Sequence, residues 1–184
     1  MKVALLGDSI RAIGYGKKVP ELLGDGFEVY QPPENCRFSK YTLWGIYEWR
    51  KQMTDCQIIH WNNGLWDLFD HGDGIFSSEE EYVTNMLAIA DVLQRLAPNV
   101  IFATTTPVTE QHPNIRNADI IRYNELLVPR LQKRGIVIND LHALVASDVD
   151  AYIRKDDNIH LTPAGIDACA NQVVSAILAV ANQA

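Results

Sequence analysis

Cysteine is scarce in this chain and poorly placed for joint chemistry. Cys36, Cys56 and Cys169 are the only three. They are odd in number and show no Cys-x-x-Cys or Cys/His spacing, which argues against a disulfide framework, a redox pair or a zinc site and leaves buried free thiols as the expectation. Positive charge is also in deficit: 16 Lys and Arg stand against 23 Asp and Glu, a formal net charge of −7. No basic cluster offsets the repulsion this creates, so nucleic acid is not an expected partner. No apolar run approaches the ~20 residues needed to cross a bilayer, so no membrane is expected. Met1-Lys2 leads straight into an apolar segment without the parts of a leader peptide, which sets a cytoplasmic location as the expectation, or a secreted one if a leader has been removed. Repeats, low-complexity tracts and Pro/Ser-rich linkers are missing too. What remains is 184 residues with 47% hydrophobic content, enough for one core and too few for two ordinary domains, so a single domain over 1–184 is expected.

Helical and strand-like patterns alternate along the chain. Five short β-branched or aromatic runs bounded by turn residues predict strands at 2–7, 27–31, 57–61, 99–105 and 135–139. Several are apolar without alternation, as strands covered on both faces of a parallel sheet are. The clearest helix begins at Ser77-Ser78, each serine having a glutamate three residues on (Glu80, Glu81) in capping-box spacing. Its apolar stripe runs through Val83, Met86, Leu87, Ala90, Leu93 and Ala97. A last helix is predicted from Thr162-Pro163, a capping hydroxyl followed by proline at the first helical position, and presents Ile166, Ala170, Val173, Val174 and Ile177 to the core. Within a helix around 120–133, Pro129 removes a backbone donor and is expected to kink or divide it. The pattern predicts an α/β fold: a three-layer α/β/α sandwich around a five-stranded parallel sheet, with ligands beyond the carboxyl ends of the strands.

Gly7-Asp8-Ser9-Ile10 follows the first strand directly, which places Ser9 at a strand-to-helix turn where a hydroxyl is exposed and backbone N–H groups face an incoming anion. The same residues also suit plain helix capping. A serine nucleophile needs a base and a group that orients that base. Asp157-Asn158-Ile159-His160 supplies both on one loop before the last helix, with Asp157 able to reach Nδ1 while Nε2 points toward the strand ends; Asp156 is its close competitor. The other histidines, His60 in a strand, His71 and His112 in polar loops and His142 opening a helical turn, lack such a partner at that spacing.

These blocks resemble the SGNH (GDSL-like) hydrolases, which carry Gly-Asp-Ser near the N-terminus and Asp-x-x-His near the C-terminus. Here Gly7-Asp8-Ser9 and Asp157-x-x-His160 stand at both ends, so the resemblance spans the domain. It implies a flavodoxin-like three-layer fold and a Ser9–His160–Asp157 triad. The Gly-x-Ser-x-Gly elbow of the α/β-hydrolases is absent, since Arg11 follows Ser9 at the second position. The resemblance further implies an oxyanion hole from the backbone N–H of Ser9, a backbone N–H from Asn35-Cys36-Arg37-Phe38-Ser39-Lys40, and an asparagine side chain. In the second block Lys40 stands where glycine is usual. In the third, Trp61-Asn62-Asn63-Gly64, Asn63 aligns with the donating asparagine and Asn62 is the neighbouring alternative.

The implied chemistry is acyl transfer to Ser9 and hydrolysis by water, with no metal or organic cofactor and a small-molecule ester as partner. In the segment 61–76 the aromatics Trp61, Trp66, Phe69 and Phe76 mix with Asp67, Asp70, His71 and Asp73. Trp61, Asn62, Trp66 and Asp67 are the expected substrate contacts, and a small acyl ester of a carbohydrate the expected substrate. A thioesterase or lysophospholipase would use the same triad with an apolar groove, and an inactive binding module would keep only the sheet.

Overall fold

The computed structural model describes residues 1–183. In chain order its elements are β1 (Lys2–Leu6), a π-helical turn at Ile10–Gly14, a 3₁₀ turn at Tyr15–Lys17, α1 (Val19–Leu23), β2 (Glu28–Tyr30), α2 (Ser39–Trp49), β3 (Ile58–Trp61), α3 (Glu79–Leu96), β4 (Asn99–Ala103), α4 (Asn117–Gln132), β5 (Val137–Asn139), α5 (Leu141–Ala146), α6 (Val149–Tyr152) and α7 (Pro163–Ala181). The five strands form one sheet in the order β2-β1-β3-β4-β5, and every pairing is parallel.

All five predicted strands are present, each ending one to two residues inside the predicted run on at least one side. The central strands are apolar because both faces are covered. Val3, Ala4, Leu5 and Leu6 of β1 and Ile58 and Ile59 of β3 are fully buried, each large side chain stabilising the fold by roughly 1.5–3 kcal/mol. One face is covered by α2, α3 and α4, the other by α1, α5, α6 and α7.

Ser78 closes the capping box of α3: its hydroxyl accepts from the Glu81 N–H while the Glu81 carboxylate accepts from the Ser78 N–H. Tyr82, Met86, Ile89, Ala90 and Leu93 form the buried stripe, with Val83 and Leu87 at its margin. Thr162 caps α7 through the Gly165 N–H, and Pro163 stands at its first turn. One expectation needs correction: Pro129 does not divide α4, which runs on to Gln132, since the proline removes a single N–H bond, to the Glu125 carbonyl, within the last turns of the helix. Helix α7, with 19 residues, is long and apolar enough to cross a membrane by length and composition alone. Here it packs on β3, β4 and β5.

Strand order reverses between β1 and β3, and the crevice beyond their carboxyl ends is the usual ligand position in such sheets. Gly7-Asp8-Ser9 leaves β1 there and Asn62-Asn63-Gly64 leaves β3.

Candidate active site

Ser9 sits at the N-terminus of the π-helical turn, in helical conformation and 9% exposed. Such turns are uncommon and recur at functional sites. Asp8 turns inward: its Oδ1 accepts from the Ile10 N–H at 2.9 Å and from Asn62 Nδ2 at 2.9 Å. Burial pushes its carboxyl up to about 6, against the opposing pull of the Ile10 and Asn62 hydrogen bonds and the charges of Arg11 and His160. The loop before α2 is fastened to the same strand end. The Cys36 N–H donates to Gly7 O at 3.0 Å, and the Gly7 N–H donates back to Cys36 Sγ at 3.2 Å. Burial raises that thiol to about 11, so it stays protonated. Arg11 is only 3% exposed and donates to Gly7 O, Pro32 O and Glu34 O. Arg11, which departs from the α/β-hydrolase elbow, thus organises the neighbouring loop.

The opposite side of the crevice is the loop 153–161, closed by an antiparallel bridge between Ile153 and Leu161 and by the Arg154 N–H on His160 O. Asn158 adopts φ 65°, a left-handed conformation asparagine tolerates, and this reversal aims the Asp157 carboxylate at the histidine. Asp157 Oδ1 accepts from the N–H groups of Ile159 and His160, and Oδ2 lies 3.1 Å from His160 Nδ1. Burial raises the Asp157 carboxyl, but the hydrogen bonds from the His160 and Ile159 backbones and the imidazole outweigh it, so the net shift is downward. An ionised Asp157 keeps a proton on Nδ1 and leaves Nε2 as the free, basic nitrogen. Leu161 reaches Gly14 of the first turn, which sets this loop beside the one that carries Ser9. The Ser9 hydroxyl makes no hydrogen bond to His160 or to any other described residue; catalytic bonds are commonly long before substrate arrives.

The two asparagines after β3 point to different places. Asn63 is fully buried; its Nδ2 donates to Arg37 O at 2.8 Å, and its Oδ1 accepts from Trp61 Nε1 at 3.2 Å. Asn62 lies against Gly7, where an added Cβ would sit 2.0 Å from Asn62 Oδ1. Its Oδ1 accepts from Tyr15 OH at 2.7 Å, and one N–H goes to Asp8. An amide has a second N–H, and Asn62 remains 5% exposed. Gly64 follows at φ 152°, its α-hydrogen side filled by Thr105 Oγ1, so a side chain at this position would not fit.

Lys40 is the second residue of α2, a position whose N–H has no partner inside the helix. Its exposed side chain is close enough to Glu81 to help lower that carboxyl. Trp61 and Asp67, expected at the substrate, lie elsewhere. Trp61 is fully buried against Phe102, ring centroids 4.7 Å apart. Asp67 is buried too and accepts from the Ser39 N–H, Ser39 Oγ and Ser77 Oγ. A carboxylate drawn under α2 caps its N-terminus and satisfies first-turn donors. Trp66 is 42% exposed. Among the described residues no cluster of His, Cys, Asp and Glu suits a metal ion.

No protein-family model and no curated protein matches the chain. Solved structures do. An acetyl xylan esterase, AlAXEase, superposes with TM-score 0.80 at 20% identity, over 96% of this chain and 100% of that one. This chain has the SGNH hydrolase fold. A lipase/acylhydrolase from Enterococcus faecalis gives TM-score 0.81 at 14% identity over 96% and 94% of the two chains. An acetylxylan esterase from Geobacillus stearothermophilus, solved as catalytic mutants at a serine and at a histidine, gives 0.77 and 0.78 at 16% identity over 96% and 93%. In the SGNH fold the crevice at the β1/β3 reversal is built here from Ser9, Asn62, the α2 N-terminus and the His160 loop.

Proposed function

We propose that the chain is a serine ester hydrolase that removes small acyl groups, of acetyl size, from carbohydrate esters. The observation that carries this is the Asp157–His160 pair, hydrogen-bonded at 3.1 Å on a loop beside the one that bears the unengaged Ser9 hydroxyl. Ser9 Oγ attacks the ester carbonyl while His160 Nε2 takes its proton, and Asp157 holds the ring and stabilises the imidazolium. The N–H groups of Ser9 and Lys40 receive the oxyanion together with a side-chain amide. Asn62 is the better side-chain donor, since Asn63 is spent on Arg37 O and Trp61. His160 returns the proton to the leaving alcohol, then activates water to release the acid. The acetyl xylan esterases that share the fold support an acetylated sugar as substrate.

The test is a fluorophosphonate serine probe read by mass spectrometry. An adduct on Ser9 in the wild type, absent from Ser9→Ala and slowed at least ~100-fold in His160→Ala, is the expected result. A folded wild type that takes no label overturns the proposal.

A further inference from the structure

Apart from the crevice, the loops after β3 and β4 border an open cleft of about 420 Å³, lined by Asp70, His71, Asn114, Arg116 and Asp119 with Gly72 and Pro113 between them, within the range of small-molecule sites. We propose that this cleft is the subsite for the alcohol half of the ester and takes a neutral, polyhydroxylated group, a sugar. The inference rests on the ester-hydrolase reading above.

Its walls are stitched together. The Asp70 N–H donates to Asn114 O at 2.9 Å and Asn114 Nδ2 to Asp70 O at 2.7 Å. Asp70 Oδ1 accepts from the Gly72 and Gly74 N–H groups, and His112 Nδ1 accepts from those of Asn114 and Ile115. The cleft is therefore formed before a ligand arrives. Phe69 supports it from behind, its ring 4.8 Å from His71 and 5.7 Å from His112. The loop after β4 also carries the triad loop: the Thr109 N–H donates to Asn158 O at 3.0 Å and Thr109 Oγ1 to Asn158 Oδ1 at 2.6 Å. Burial lowers the His112 imidazole, and the Asp157 charge pulls against it. The cleft and the catalytic pair thus share one supporting loop.

The groups left unengaged decide the ligand. Arg116 uses Nε and Nη2 on Asp119 and keeps Nη1; Asp70 keeps Oδ2; the His71 ring makes no hydrogen bond. Donors and acceptors in alternation suit vicinal hydroxyls. With two carboxylates against one guanidinium, a phosphorylated or carboxylated alcohol would be repelled.

Arg116→Ala and His71→Ala alter exposed side chains, so folding should survive. Steady-state kinetics on an acetylated xylo-oligosaccharide should show kcat/KM lowered about tenfold or more through KM, the size of a hydrogen bond to a charged group. Hydrolysis of p-nitrophenyl acetate, which has no sugar, should be unchanged. Equal losses on both substrates, or none on either, would overturn the assignment. Should the wild type hydrolyse no ester at all, the enzyme reading fails by itself. Calorimetry of xylotriose with Ser9→Ala then judges the cleft: binding abolished by Arg116→Ala sustains it, and absence of binding removes it.

Discussion

Asn62 and Asn63 carry the same side chain on adjacent residues and do different work. Asn62→Ala should lower kcat about 10²–10³-fold, as loss of an oxyanion donor does, with KM little changed. Asn63→Ala should instead register first as a lower melting temperature, because Arg37 O and Trp61 Nε1 both lose a buried partner. Tyr15→Phe tests the orientation itself. Without the hydroxyl on Asn62 Oδ1, the amide is free to flip, and kcat should fall several-fold at constant KM; an unchanged kcat would show that Asp8 suffices to orient it. The sequence identified the block but not the choice within it. Two asparagines in a row are chemically equivalent until the backbone turn at Gly64 and the partners Tyr15 and Arg37, each tens of residues away, tell them apart. Ser9, Asp157 and His160 were easier to single out because each depends on local spacing: a turn after a strand, and a carboxylate three residues before a histidine.

The N-terminus of α2 depends on a residue outside the helix. Phe38, its cap position, offers no side-chain acceptor, and Asp67 supplies one from the loop after β3. Asp67→Ala should cost roughly 2–4 kcal/mol in urea unfolding, since several buried donors lose their acceptor. It should also reduce activity by loosening the turn that presents the Lys40 N–H. Asp67→Asn, which keeps an acceptor oxygen, should fall between. Carboxylates are mostly exposed, so an aspartate amid aromatics reads as a substrate contact until Ser39 and Ser77 are seen around it. The strands were legible for the opposite reason, since β1, β3 and β4 are covered on both faces and their composition alone records it. Pro129 misled because its effect depends on distance from the helix end, and helix ends are weakly encoded.

Two buried titrating groups give the whole molecule opposed responses to acid. Burial lowers His60 to about 3 against about 6.5 in an unfolded chain. Its stability contribution is complete above about pH 6.5 and is lost as pH falls toward 3. Asp8, raised to about 6 from about 3.9, acts the other way: its contribution is complete below about pH 4 and is lost as pH rises through 6. Urea midpoints between pH 4 and 6 should therefore vary little in the wild type. They should fall more steeply with acid in Asp8→Asn and reverse slope in His60→Gln. Parallel curves for all three would show that neither group is held as described.

The thiol behind the first loop offers a native clock. Cys36 is wholly covered, protonated and pinned to Gly7, so an alkylating reagent reaches it only when the segment before α2 lifts away from the strand end. Its modification rate, followed without any engineered reporter, would time the breathing of the catalytic crevice. A ligand that bridges Ser9 and the α2 N-terminus should slow that clock in proportion to its occupancy.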